Sequence, residues 1–318
     1  MTQPDRTFTL VAFHAHPDDE SLLTGGTLAK AAAQGHRVVL VTATCGELGL
    51  AGARDGQGGP LARVRTAELH VAAAALGCAR VVTLGYADSG LRPDGSNPDA
   101  FACVDVEAAA VRLAEVLREE AADVVTIYDP NGGYGHPDHV QVHRVGSRAA
   151  RLAGTPVVLE ATVSAPLFVG VLRVLRLLGS ALGRSAPLGV DGVFSPSGRI
   201  THRVRVHAHL DAKRAALAAH GSQRRAEGQV RVLDRVLRLP RPLFALAFGT
   251  EWYVEQGRAG DERFPDVFAT VHGPAVTRTR SGVPATASTS LRTARPTSSH
   301  PPRLTSAPNS TPASTSPG

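Results

Sequence analysis

Four times before residue 130 a short β-branched run gives way, across a polar turn, to a segment with helical spacing. The runs are Phe8 to Phe13 (FTLVAF), Arg37 to Thr42 (RVVLVT), Arg80 to Leu84 (RVVTL) and Asp123 to Tyr128 (DVVTIY). Helical spacing covers Glu20 to Gln34, closing on Gly35, then Leu61 to Leu76, closing on Gly77, then Val104 to Ala121 and Pro137 to Ala153. A fifth run, Pro156 to Ala161, follows the last of these. Strands that are apolar along their whole length must be covered on both faces, and intervening helices supply the cover. The expected fold class is therefore α/β, a Rossmann-like three-layer arrangement with a mostly parallel sheet flanked by helices. Aromatic residues make up only 4% of the chain while 43% is hydrophobic, so its core must be built mainly from Ala, Val and Leu.

Beyond Val163 the pattern is less regular. Residues 165–200 read as a variable insertion, in which the apolar stretch Ala165 to Leu188 is broken by Arg173, Arg176 and Arg184 and is poor transmembrane material. Arg203 to Val206 is compatible with an edge strand, and Asp211 to Ala219 with a helix. From residue 273 Ser, Thr, Pro and Arg dominate, a composition that cannot offset its ordering entropy. Two regions are expected: a folded domain over 1–272 and a disordered tail over 273–318.

The formal charge of +6 invites a nucleic acid or an anionic surface as partner. Its distribution argues otherwise, because Arg278, Arg280, Arg292, Arg295 and Arg303 in the tail have no acidic counterpart and the rest is close to neutral. No nucleic-acid partner is expected. Cys45, Cys78 and Cys103 are too few and too far apart for a disulfide framework, which suits a reducing, cytoplasmic setting. The N-terminal run lacks a basic cluster and ends on two histidines, so it does not read as a signal peptide.

Two words carry the chemistry. The first is His14-Ala15-His16-Pro17-Asp18-Asp19-Glu20, placed where the first strand ends and a helix begins. With Pro17 at the first helical position, His16 and Asp19 stand three residues apart and can converge on a metal ion. Asp18 between them points elsewhere, and a carboxylate beside an ion but not on it suits a general base. The second word, His136-Pro137-Asp138-His139, follows the fourth strand after Asp129-Pro130-Asn131-Gly132-Gly133-Tyr134-Gly135. His16, Asp19 and His139 together make a three-ligand N/O set with room for water, the pattern of a catalytic zinc site. His136 is then free to act as a protonated acid or to polarise a carbonyl oxygen. A histidine at a strand end is ordinarily a solvated loop residue, and paired aspartates before a helix ordinarily cap it. Repetition of the word at two strand ends of one sheet favours the metal reading. His14 and His143 read as structural.

The pair AHPDDE and GGYGHPDH resembles the PIG-L (LmbE-like) zinc-dependent deacetylase family, with greatest similarity to its actinobacterial mycothiol-type N-acetylglucosaminyl deacetylase branch. The likeness spans roughly residues 8 to 162 and returns in Lys213 to Gln223 and Gly249 to Tyr253. It implies one zinc ion per chain, or another divalent transition metal, on His16, Asp19 and His139. It further implies Asp18 as general base, His136 facing the oxyanion and leaving amine, Asp138 orienting His136, and Tyr134 closing over the site as an oxyanion donor. Arg65 and Asp88 match positions that hold sugar hydroxyls in that branch; a solvated helix face and a turn before Ser89-Gly90 are the ordinary alternatives. The expected substrate is a small amino-sugar conjugate from which an N-acetyl group is hydrolysed.

Other enzyme readings fit less well. Related mycothiol-conjugate amidases tend to carry a lysine seven residues after the first ligand, where this chain has Leu23. A metal-dependent phosphoesterase would normally use two metals and more carboxylates. A non-catalytic sugar-binding module would have no use for Asp18.

Overall fold

The computed structural model describes residues 6–49, 58–91, 97–162, 197–224, 232–259 and 262–271. These belong to one compact unit, Met1–Arg278. The expected tail lies outside the described residues, as does nearly all of the expected insertion. Seven strands form one sheet: β1 (Thr9–His14), β2 (Arg37–Thr44), β3 (Arg80–Tyr86), β4 (Val124–Tyr128), β5 (Val157–Thr162), β6 (His202–Arg205) and β7 (Thr250–Glu255), in the order β3-β2-β1-β4-β5-β7-β6. The first five run parallel, and β7 runs antiparallel to both β5 and β6. The α/β expectation holds, and β6 occupies the edge that its short, mixed sequence suggests. Among the described residues no helix is long and apolar enough to cross a membrane.

Every residue of β1 and β4 is buried. Side chains alternate between the two faces along β1. Leu10 and Ala12 join one core with Leu28, Leu69 and Ala216, whereas Val11 and Phe13 join another with Leu113 and Val142. The helices on the first face include α2 (Gly25–Ala33), α3 (Gly59–Ala75) and α7 (Leu210–Ala219); on the second lie α4 (Val106–Glu119) and α6 (Pro137–Ala153), which the short α5 (Gly132–Gly135) precedes. Truncating a fully buried side chain such as Leu40 to Ala would cost about 2–5 kcal/mol.

The helix expected over 20–34 is two helices, α1 (Asp19–Leu23) and α2, because the chain breaks at Thr24, where φ is −125°. A Cβ on Gly26 would sit 2.5 Å from Val206 Cγ2, so α2 approaches the following chain more closely than any other residue allows. Its first amides are taken by a carboxylate from β7: Gly26 N and Thr27 N donate to Glu251 Oε1 and Oε2, each at 2.8 Å. Negative charge at a helix start is favourable. Lys213 of α7 donates to Glu251 Oε1 at 2.6 Å, completing a buried ion pair. The segments Lys213 to Gln223 and Gly249 to Tyr253 therefore brace the helices that follow the first word.

Candidate active site

Strand order reverses between β1 and β4, since β1 continues to β2 on one side while β4 lies on the other. Ligands of open parallel sheets sit at the carboxyl ends of the strands at such a point. Both histidine words lie there, and the segment after β3 contributes Asp88 and Ser89.

The first word does not start a helix at Pro17. α1 begins at Asp19, with Asp18 at the N-cap position in an unusual backbone conformation, φ 105° and ψ −30°, and with no capping hydrogen bond from its side chain. Asp18 is therefore not serving as a cap. Its carboxylate stands 3.4 Å from Arg65 Nη2. Burial pushes the Asp18 carboxyl up to about 6, against the pull of Arg65 and with added repulsion from Asp19.

Asp19 Oδ2 accepts from the His16 amide at 3.0 Å, lies 3.2 Å from His16 Nδ1, and stands 3.3 Å from His139 Nε2. The far side of each ring is already engaged. His16 Nε2 is 3.0 Å from Asp138 Oδ2, and His139 Nδ1 is 3.2 Å from the Gly132 carbonyl. Against the cost of burial, the carboxylates facing both nitrogens of His16 raise its imidazole well above the usual range. In the metal-binding tautomers the ring protons sit on His16 Nε2 and His139 Nδ1, so that His16 Nδ1 and His139 Nε2, the atoms facing Asp19, carry the lone pairs. His139 Nε2 is buried and has no hydrogen-bond partner. Ligands at about 2.0–2.1 Å from a tetrahedral zinc are themselves roughly 3.3–3.4 Å apart, the size of the two separations from Asp19 Oδ2 to His16 Nδ1 and His139 Nε2. One donor atom each from His16, His136 and His139, and from His16, Asp88, His136 and Asp138, falls within 4.8 Å of the others of its set; Asp19 belongs to neither set, and a metal-binding group of His and Asp residues is present.

His136 is the N-cap of α6, and its Nδ1 accepts from the Asp138 amide at 3.2 Å. The neutral ring then carries its proton on Nε2. Burial, with repulsion from His16 and His139, lowers the His136 imidazole to about 4. That departs from the protonated acid allowed by the sequence. Asp138 departs too: its amide meets His136, but its fully buried carboxylate accepts from Ser89 Oγ at 2.5 Å and Ser89 N at 3.1 Å while engaging His16. A carboxylate behind a ligating histidine fixes its tautomer and raises its basicity.

Tyr134 is 60% exposed, and its ring lies edge-on to His139 with centroids 4.9 Å apart. The turn carrying it needs glycine: Gly132 has φ 64°, and a Cβ there would approach Val140 N to 2.8 Å. Asp88 accepts from Leu48 N at 3.1 Å and Gly90 N at 2.8 Å, and its Oδ1 lies 3.4 Å from His16 Nε2. Although burial opposes it, the contact with His16 and these amides draws Asp88 below the usual carboxylate range. Arg65 is buried on α3, not solvated, and donates to the carbonyls of Gly46, at 2.6 Å, and Pro17. His14 lies 3.1 Å from Tyr128 Oη and 3.0 Å from Thr24 Oγ1, while His143 faces the Tyr128 carbonyl at 3.1 Å, so both are structural.

Three participants have no assigned role in the sequence reading: Ser89 behind Asp138, Glu20 at the end of the first word, and His220 against Glu20. The strand-end position of Ser89 could have flagged it. His220 makes its contact across 200 residues, beyond any local pattern.

Residues 11–150 match the PIG-L model, described as GlcNAc-PI de-N-acetylase. A 1D-myo-inositol 2-acetamido-2-deoxy-alpha-D-glucopyranoside deacetylase of Acidothermus cellulolyticus is 38% identical over 290 residues, covering 83% of this chain and 95% of its own. The protein of the same description from Thermobifida fusca is 35% identical over 292 residues, covering 85% and 94%. Among solved structures, N,N'-diacetylchitobiose deacetylase from Pyrococcus horikoshii aligns with a TM-score of 0.53 at 19% identity, over 79% of this chain and 84% of that one, a likeness of fold.

Proposed function

The chain belongs to the PIG-L family of de-N-acetylases, and on that premise we propose that it is a zinc-dependent hydrolase of the N-acetyl group of an N-acetylglucosamine conjugate. The inositol-linked acetamido sugar named for its relatives is the favoured substrate. One observation carries the reading: two imidazole nitrogens, His16 Nδ1 and His139 Nε2, flank Asp19 Oδ2 at 3.2 and 3.3 Å, while the adjacent Asp18 remains outside that set.

His16, Asp19 and His139 would hold the ion, one per chain. Bound there, zinc would polarise the acetyl carbonyl and acidify a water molecule. Asp18 takes a proton from the water as its oxygen bonds to the acetyl carbon. The Asp18 carboxyl then releases that proton to the amine nitrogen as the C–N bond breaks and acetate departs. His136 Nε2–H and the Tyr134 hydroxyl donate to the developing oxyanion; a buried donor such as His136 contributes about 3 kcal/mol of barrier, and the largely exposed Tyr134 about 1.5 kcal/mol. Asp138 keeps His16 in the tautomer that binds metal. Asp88 accepts from sugar hydroxyls, while Arg65, committed to two carbonyls, supports the loop beneath Asp18.

Leu23 ends α1 and packs against the core, leaving no lysine at the position favoured by the related amidases. The three cysteines are free, in keeping with cytoplasmic action.

Acetate release from a panel of N-acetylglucosamine conjugates, assayed with metal-loaded and metal-stripped protein, tests the reading. Metal-dependent release from the inositol conjugate is expected. Equal release by stripped protein, or none from any N-acetyl sugar with the loaded protein, would overturn it.

A further inference from the structure

The peptide joining Pro17 to Asp18 is held at both polar atoms by buried side chains. Arg65 Nη2 donates to the Pro17 carbonyl, and the Asp18 amide donates to Glu20 Oε2 at 2.9 Å. Asp18 needs such restraint. With φ at 105°, it is one of two non-glycine residues at positive φ among the described residues. An aspartate at a helix N-cap ordinarily adopts an extended conformation and turns its carboxylate onto the first free amides. Asp18 occupies the N-cap of α1 and does not.

Glu20 is fully buried, so its carboxylate needs a partner to stay in place. Its Oε1 accepts from Ser21 Oγ at 2.5 Å and lies 2.8 Å from Nε2 of His220, which is also fully buried. His220 follows α7 directly and is its C-cap. The other ring nitrogen, Nδ1, has no hydrogen-bond partner, which leaves Nε2 as the working end of the ring.

We propose that His220 is a positioning residue for the deacetylation. Through Glu20 it clamps the Pro17–Asp18 peptide and prevents Asp18 from relaxing into an ordinary helix cap. When the clamp is removed, Asp18 turns onto α1 and its carboxylate leaves the reacting water. This inference rests on the reading of Asp18 as general base.

The test uses the full zinc-loaded chain, the acetamido substrate identified above, and zinc content measured beside kcat and KM. His220→Leu should lower kcat by about 30- to 100-fold, as small misplacements of a reacting group do, with KM within about twofold. Zinc content should be unchanged. His220→Gln places an amide N–H near the position of Nε2 and should return kcat to within about threefold of the parent. If His220→Leu does not fold, His220→Asn, polar but too short to reach Glu20, should show the same loss against His220→Gln. Equal kcat for the Gln variant and its shorter or apolar counterpart would overturn the proposal, as would a loss traced to zinc content. Asp18→Asn, assayed alongside, separates the two ideas: parental turnover there removes the base itself, whereas parental turnover in His220→Leu alone removes only the clamp.

Discussion

The two His-Pro-Asp words share a spelling and a place at strand ends, yet the chain gives them different geometry. In the second, Pro137 opens α6, His136 caps it through a side-chain acceptor, and the helix begins without strain. In the first, Pro17 lies outside the helix, α1 starts two residues later, and Asp18 is held at φ 105°. The third residue of each word accordingly has different surroundings. Asp138 is fully buried and committed to Ser89 and His16, while the Asp18 side chain keeps 30% of its surface exposed beside one arginine. The difference teaches that position on a strand tip brings a carboxylate to the site, but the local backbone decides which partners it meets there. Strain of the kind carried by Asp18 costs about 1–3 kcal/mol and persists only where surrounding structure enforces it.

The largest expected effect separates the two histidines of the second word. His139→Ala should lose both zinc and activity, whereas His136→Ala should keep stoichiometric zinc and lose about 10²–10³ in kcat. Metal analysis beside kinetics checks this, and stoichiometric zinc in His139→Ala would show the ligand set to be wrong. Next comes the contrast of the carboxylates. Asp18→Asn should leave zinc affinity near the parent value while kcat falls about 10²–10⁴-fold. Asp138→Asn should weaken zinc binding by about 10–100-fold, read by competition with a chelator. If the two substitutions gave the same profile, the assigned division of labour would fail. Tyr134→Phe is expected to have the smallest effect, about a tenfold fall in kcat with zinc content unchanged, since one hydrogen bond to a charged group contributes about 1.5 kcal/mol. An unaltered rate would assign the donor elsewhere.

Much of the fold is legible because strands buried on both faces leave unbroken β-branched runs, such as RVVLVT in β2. β7 left no such trace: TEWYVE is mixed in character, and Glu251 is buried there only because Lys213 and the start of α2 meet it. The break at Thr24 is equally hidden, since the helical spacing of residues 20–34 runs through it. At the site, the two words identify the donor-bearing residues. The partner of the Asp138 carboxylate, the burial of Arg65 and the contact of His220 with Glu20 depend on chain crossings that spacing does not encode.

The central claim is that a single ion sits on His16 Nδ1, Asp19 and His139 Nε2, with Asp18 free beside it. Anomalous diffraction at the zinc edge from zinc-loaded crystals tests this directly. The account predicts one peak about 2.0–2.2 Å from those three donors, with His16 Nε2 still on Asp138. A peak coordinated by His136 in place of Asp19, or by Asp18 itself, would contradict it.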